Sequence, residues 1–118
     1  IDQDTMSIFM SDNGPFPVMR QHGGNPGLFR NGKGTTWEGG IRSPGVVRWP
    51  SVISPGTIMQ GITTAWDIFT TILSIAKAPI PSDRIIDGID MSPALFEDAQ
   101  SIRECQNFYS QKYLMATR

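Results

Sequence analysis

Hydrophobic and polar residues alternate along residues 5–11 (TMSIFMS), and Phe9 makes the second side of this segment partly apolar. A period of two predicts a β-strand, and apolar residues on both sides are typical of a strand that is covered on both faces. Residues 12–15 (DNGP) end the strand, because this composition favours a turn. A second short strand is predicted at residues 45–49 (GVVRW), and Pro50 ends it.

The second half of the chain carries a helical pattern. Apolar residues recur with a spacing of three and four at Ala65, Ile68, Phe69, Ile72, Leu73 and Ala76. Thr64 with Asp67 three positions later resembles a capping box, and Pro79 closes the far end. The Ser-Pro pair that opens residues 92–96 (SPALF) predicts a short helical turn, with Ser as N-cap. Residues 108–117 contain enough aromatic and β-favouring residues for one more strand.

Glycine and proline concentrate between the two strands predicted first and just beyond them. Ten of the 12 glycines and six of the nine prolines lie between residues 14 and 56. We therefore predict no regular structure from residue 12 to about residue 43, and loops of that length are usually functional or ordered by contacts elsewhere. The order strand, loop, strand, helix, strand indicates an α/β fold. Its core would be thin, so we expect residues 1–118 to form part of a larger fold.

Charge and cysteine content exclude several classes of function. The chain has 10 basic and 11 acidic residues, and its net charge of -1 argues against a nucleic-acid or anionic-membrane surface. No apolar run approaches the roughly 18 residues of a membrane span, and the first residues lack the pattern of a signal peptide. The single cysteine, Cys105, excludes an internal disulfide and a CxxC metal site.

Asp12 and Asn13 stand at the carboxyl end of the first predicted strand, where open α/β sheets place their ligands. A carboxylate beside an amide carbonyl offers two hard oxygens to Ca²⁺ or Mg²⁺, although either ion needs further ligands. The alternative is an ordinary turn, since Asp-Asn-Gly is a common way to leave a strand.

Lys33 lies between Gly32 and Gly34, so the backbone there can approach an anion while the ammonium group neutralises it. His22 is the only histidine and could act as a base or a ligand, or could be solvated in its polar loop.

Arg42 and Glu38 have two open interpretations. Arg42 could pair with a substrate anion, or it could form a salt bridge that anchors the loop to the following strand. The same holds for Glu38, which has no apolar alternation around it.

Five segments together resemble the sulfatase family, in order and in spacing, with the closest likeness to its arylsulfatase A and N-acetylgalactosamine-6-sulfatase branch. The segments are residues 7–15 (SIFMSDNGP), 32–40 (GKGTTWEGG), 40–44 (GIRSP), 67–78 (DIFTTILSIAKA) and 87–95 (DGIDMSPAL). The resemblance implies an alkaline-phosphatase-like α/β fold, with a mixed sheet flanked by helices. It also implies an enzyme that hydrolyses sulfate monoesters with a bound divalent metal, usually Ca²⁺. It implies that Asp12 and Asn13 ligate the metal and that Lys33 binds a sulfate oxygen.

The family's nucleophile is a formylglycine made from the first residue of a C/S-x-P-S-R motif, and no such motif occurs in residues 1–118. We therefore expect a partial sulfatase domain that lacks the N-terminal nucleophile region and is inactive alone. One alternative is an inert truncated product that binds an anion or a partner. Another is a related formylglycine-dependent hydrolase of phosphate or phosphonate esters. The resemblance also implies a lysosomal or secreted protein.

Overall fold

The computed structural model describes residues 2–97 and 102–118. In chain order its elements are β1 (Ser7–Met10), a 3-10 helix (Pro17–His22), α1 (Glu38–Ile41), β2 (Gly45–Arg48), α2 (Asp67–Ile75), α3 (Ser92–Phe96), β3 (Asn107–Ser110) and β4 (Tyr113–Thr117). The chain divides into two compact units. We name residues 5–48 and 107–118 the strand unit, and the described residues of 1–4 and 49–106 the helix unit.

The strand unit contains two antiparallel strand pairs. β1 pairs with β2, with Phe9 opposite Val46, so the first two predicted strands are confirmed at slightly shorter lengths. β3 pairs with β4. The prediction of one strand over residues 108–117 is wrong, because Gln111 adopts a left-handed backbone with φ 56° and turns the chain back on itself. A glutamine gives no sequence signal for such a turn.

The segment between β1 and β2 is more ordered than its composition indicates. The absence of regular structure predicted for residues 12–43 is wrong at two places, the 3-10 helix and α1. α1 is a single turn in which Gly39 and Gly40 are buried. One turn with two glycines is too short to show an apolar period, so the hydrophobic pattern could not reveal it.

The predicted long helix of the helix unit is confirmed as α2, which begins at Asp67 and ends at Ile75. Its buried residues are polar, namely Asp67, Thr70 and Thr71, whereas Phe69 and Ile72 of the apolar stripe are 49% and 45% exposed. The apolar face of α2 is therefore largely uncovered within the described residues.

Asp67 connects α2 to distant segments of the helix unit. Its Oδ2 accepts hydrogen bonds from the backbone N–H and the hydroxyl of Thr64 at 2.7 and 2.8 Å, which confirms the predicted start signal. Its Oδ1 accepts from the Ile89 N–H at 2.8 Å and from Arg103 Nη2 at 2.6 Å. The carboxylate is fully buried and accepts four hydrogen bonds, as a buried charge requires.

α3 confirms the short helical turn predicted at residues 92–96, but its cap differs. Ser92 is the first residue of α3 and not its N-cap, which is Met91 and makes no side-chain capping hydrogen bond among the residues that the structure describes. Asp90 Oδ1 accepts from the Ser92 N–H at 2.9 Å just before the turn. Met91 and Ala94 supply the buried apolar residues beside this turn.

No helix in the described ranges is long and apolar enough to cross a membrane. Antiparallel strand pairs with helices make this part of an α/β fold.

Candidate functional site

Asp12 and Asn13 form a tightly fixed turn directly after β1. The Ser11 N–H donates to the Pro44 carbonyl at 3.2 Å, and the Ser11 hydroxyl donates to the Asn13 carbonyl at 2.8 Å. The Ser43 hydroxyl donates to the Ser11 carbonyl at 2.8 Å. The turn is thus anchored to the chain just before β2, with Asp12 exposed and Asn13 half-buried.

The segment of residues 30–35, named here the Lys33 loop, lies against the same turn through backbone contacts. The Lys33 N–H donates to the Pro15 carbonyl at 2.7 Å, and the Thr35 hydroxyl donates to the Gly32 carbonyl at 2.8 Å. Lys33 is exposed, and its Nζ stands 5.9 Å from the ring centroid of Phe16. The structure therefore brings the backbones of the two predicted ligand-bearing segments together. It stays a prediction that a cation held by Asp12 and Asn13 and the ammonium group of Lys33 bind the same anion.

α1 contacts both the Asp12–Asn13 turn and the Lys33 loop. The Gly40 carbonyl accepts from the Gly14 N–H at 2.9 Å, and the Gly39 N–H donates to the Arg30 carbonyl at 2.9 Å. A Cβ on Gly14 would stand 1.8 Å from the Gly39 oxygen, and one on Gly39 would stand 2.2 Å from the Asn31 oxygen. Three backbone segments approach at distances that only glycine allows.

Glu38, the first residue of α1, binds two arginines. Arg118 Nη1, which follows β4, lies 2.7 Å from Glu38 Oε1 and 2.6 Å from Oε2. Arg42 Nη1 lies 3.4 Å from Oε2, and the Arg42 guanidinium carbon is 4.7 Å from the Phe29 ring centroid. Arg42 thus pairs within its own helical turn, and the pair from Glu38 to Arg118 reaches the end of β4. The other interpretation, contact of Glu38 or Arg42 with a substrate anion, stays a prediction. Sequence reasoning missed Arg118, because it stands 80 positions from Glu38 and no local pattern relates the two residues.

An open cleft of about 710 Å³ borders the turn. Its lining includes Ser11, Asn13, Phe16, Phe29, Arg42 and Ser43. The cleft thus brings Asn13 and Arg42 to one surface.

His22 is exposed at the end of the 3-10 helix, and the described residues around it do not distinguish it as a base or a ligand.

Asp12 and Asn13 fit part of a divalent-cation shell. An exposed carboxylate beside a half-buried amide supplies hard oxygens, and Ca²⁺ takes six to eight such ligands. Within residues 2–97 and 102–118, no group of three or more His, Cys, Asp or Glu side chains could hold a metal ion. A divalent cation at this turn stays a prediction, and it would need ligands beyond Asp12 and Asn13.

Comparison with known proteins places these segments in a family. The family model described as Sulfatase matches residues 1–78. The chain is 43% identical over 122 aligned positions to mouse (Mus musculus) steryl-sulfatase, covering 98% of this chain and 20% of that protein. It is 40% identical over 107 positions to human (Homo sapiens) arylsulfatase A, covering 91% of this chain and 21% of that protein.

A solved structure agrees with the sequence matches. The crystal structure of the PsFucS1 sulfatase from Pseudoalteromonas sp. superposes with a TM-score of 0.84 at 36% identity, covering 96% of this chain and 23% of that one. The chain spans about a fifth of the length of the curated relatives it matches.

Proposed function

The chain belongs to the sulfatase family, and we propose that it forms the part of a sulfuric ester hydrolase that holds a divalent metal and the sulfate group. Its fold is part of the alkaline-phosphatase-like α/β fold of those enzymes. In this proposal Asp12 and Asn13 supply two oxygens to Ca²⁺, with Mg²⁺ as the second choice, and Lys33 binds a sulfate oxygen. The remaining ligands and the formylglycine nucleophile belong to parts of the full-length protein beyond residues 1–118.

One observation supports this proposal above the others. α1 contacts the turn that bears Asp12 and Asn13 through Gly40, and it contacts the Lys33 loop through Gly39. The two segments thus contact one and the same helical turn, although 20 positions separate Asn13 from Lys33. A metal and an ammonium group that serve one tetrahedral anion need such a fixed relation.

The residue types suit the chemistry of sulfate ester hydrolysis. Cleavage of the ester places negative charge on the sulfate oxygens and on the leaving oxygen, and fixed positive groups stabilise that charge. A bound Ca²⁺ would act as a Lewis acid on these oxygens. Lys33 would donate hydrogen bonds from its ammonium group, and its glycine neighbours leave room for the anion beside the backbone.

The test uses the full-length protein and 4-nitrophenyl sulfate as substrate. Lys33→Ala should lower kcat/KM by about 100-fold or more, because a donor to the developing charge is lost. The control is Lys112→Ala, which removes an exposed lysine from the turn between β3 and β4 and should leave the activity unchanged. Equal activities of the Lys33 variant and the wild type would refute the sulfate-binding role.

Two further measurements separate the alternatives. Metal analysis after dialysis should find less Ca²⁺ in Asp12→Asn than in the wild type, because the amide carries no charge to hold the cation. A higher kcat/KM on 4-nitrophenyl phosphate than on the sulfate would instead favour the phosphate or phosphonate ester hydrolase. No turnover of either ester would favour a non-enzymatic anion- or partner-binding module.

A lysosomal or secreted location is part of the sulfatase proposal.

A further inference from the structure

We propose that the Glu38–Arg118 ion pair positions α1 and, through α1, helps to hold the Asp12–Asn13 turn and the Lys33 loop in place, beside the direct hydrogen bond from the Lys33 N–H to the Pro15 carbonyl. The proposal rests on the function proposed above for those two segments. Glu38 and Arg118 are positioning residues in this account, because neither needs to touch the substrate.

α1 needs an external anchor because its own sequence stabilises it poorly. It is one turn of four residues, and two of them are glycines, which are the poorest helix formers after proline. A single turn also bears the full cost of helix nucleation. Its N-cap position, Trp37, makes no side-chain capping hydrogen bond within the part of the chain that the structure describes. Glu38 is the charged side chain of this turn, and its ion pairs add to the backbone bonds of Gly39 and Gly40.

Arg118 is the stronger of the two partners of Glu38. Its Nη1 lies within hydrogen-bond distance of both carboxylate oxygens, at 2.6 and 2.7 Å, whereas Arg42 reaches one oxygen at 3.4 Å. Arg42 also shares the helical turn with Glu38 and moves with it, since the pair is four positions apart. Arg118 follows β4, so it links α1 to the paired strands β3 and β4.

A shift of α1 would be transmitted to both segments of the proposed site. The Gly14 N–H to Gly40 carbonyl bond joins α1 to the turn, and the Gly39 N–H to Arg30 carbonyl bond joins it to the loop that leads to Lys33. A Cβ added to Gly40 would stand 2.3 Å from the Thr35 oxygen, so no space exists there to absorb a displacement. A displacement on the order of 1 Å can cost about 100-fold in rate.

The experiment measures kcat and KM of the full-length enzyme with 4-nitrophenyl sulfate. Glu38→Gln and Arg118→Gln should each lower kcat by about 10-fold or more and change KM far less, because misalignment affects the transition state more than binding. The double variant should be no slower than Glu38→Gln alone, because the Glu38 substitution already removes the pair with Arg118 together with the weaker pair with Arg42. Arg118→Lys, which keeps the charge, should recover part of kcat. Arg84→Gln, which removes an exposed arginine from its pair with Asp83, is the matched control and should not change kcat.

Hydrogen–deuterium exchange separates this proposal from the function on which it rests. Both single Gln variants should exchange faster than the wild type at the amides of Gly14 and Gly39, whether or not the protein is a sulfatase. Unchanged exchange at these amides, or effects of the two substitutions on log kcat that add, would overturn the positioning role. An inactive wild type whose Gln variants still lose protection would refute the sulfatase function and leave the positioning of α1 supported. A uniform loss of protection across the strand unit would mean a general stabilising role and would also overturn the proposal.

Discussion

Glycines determine how closely the segments around α1 approach one another. Gly14 lies against the Gly39 carbonyl, and Gly40 lies against Thr35, with no volume for a side chain between the backbones. Not every glycine of the strand unit has this role, because a Cβ on Gly45 would meet no atom within 4 Å. The high glycine content thus combines close packing at some positions with ordinary conformational freedom at others.

Gly14→Ala should destabilise the full-length protein by about 2 kcal/mol or more, because the new methyl group would overlap the Gly39 oxygen and force the backbones apart. Gly45→Ala is the matched control and should change stability by less than about 0.5 kcal/mol. Urea denaturation of the two variants and the wild type measures the difference. Equal destabilisation by both substitutions would contradict the packing argument.

Asp90 gives the helix unit a pH-dependent contact. Burial raises the pKa of this carboxyl, but hydrogen bonds from Ser74 and Ser92 favour the ionised form and outweigh it, so the pKa lies below its usual value. A lowered pKa in the folded state stabilises the fold above the unfolded-state pKa of about 4, and the stabilisation disappears as the pH falls through the folded-state pKa.

Asp90→Asn should therefore lower the Tm of the full-length protein at pH 7, and the difference from the wild type should shrink as the pH falls below about 4. Calorimetry of both proteins across this pH range provides the measurement. A difference that grew on acidification would show the sign of the linkage to be wrong.

Two of the buried polar residues of α2, Asp67 and Thr71, bind backbone groups of the segment before α3. Thr71 donates to the Asp67 carbonyl at 2.7 Å and accepts from the Met91 N–H at 3.0 Å. Together with the bond from Ile89 to Asp67, this attaches the segment before α3 along one side of α2. Backbone groups that leave water need partners, and α2 supplies them from its polar residues.

Asp67→Asn should cost the full-length protein about 3 kcal/mol or more of stability. The amide would place an N–H₂ group among donors, and it would remove the carboxylate charge that lies 2.6 Å from Nη2 of Arg103, whose side chain is 13% exposed. Thermal and urea denaturation measure the loss. Asp83→Asn, which breaks the exposed pair with Arg84, is the control and should not measurably change stability. A small effect at Asp67 would mean that the buried pair is not needed.

The chain as a whole exposes apolar surface on both units. In the strand unit Phe9 and Val46, which are opposite each other in β1 and β2, are 74% and 59% exposed. In the helix unit Phe69 and Ile72 are exposed on α2. The buried hydrophobic residues of the described chain are Met91 and Ala94, which is a small core for 118 residues. Such surfaces usually belong to interfaces.

The isolated 118-residue chain should therefore bind the dye ANS and unfold without a sharp transition. It should show no turnover of 4-nitrophenyl sulfate, because neither a nucleophile motif nor a full metal shell lies within it. Fluorescence, calorimetry and the esterase assay check these outcomes. Cooperative unfolding of a monomer without ANS binding would show that residues 1–118 fold independently.

Sequence periodicity predicted the elements that repeat over several residues. The spacing of apolar residues located α2, and alternation located β1 and β2. Periodicity did not locate α1 or the turn at Gln111, because one helical turn and one left-handed residue are too short to show a repeating pattern. For the candidate site, the motifs named Asp12, Asn13 and Lys33, and the roles assigned to them remain predictions.

The amino-acid sequence by itself determined the family, the presence of α2 and the segments that bear the candidate ligands, since these depend on residues close together in the chain. The tertiary structure alone decided that Arg118 binds Glu38 and that the polar side of α2 is the buried one. Both depend on groups far apart in sequence: 80 positions for the first pair and 36 between Asp67 and Arg103. Such pairs form only after intervening turns have set the direction of the chain, and no local pattern of side chains records that direction.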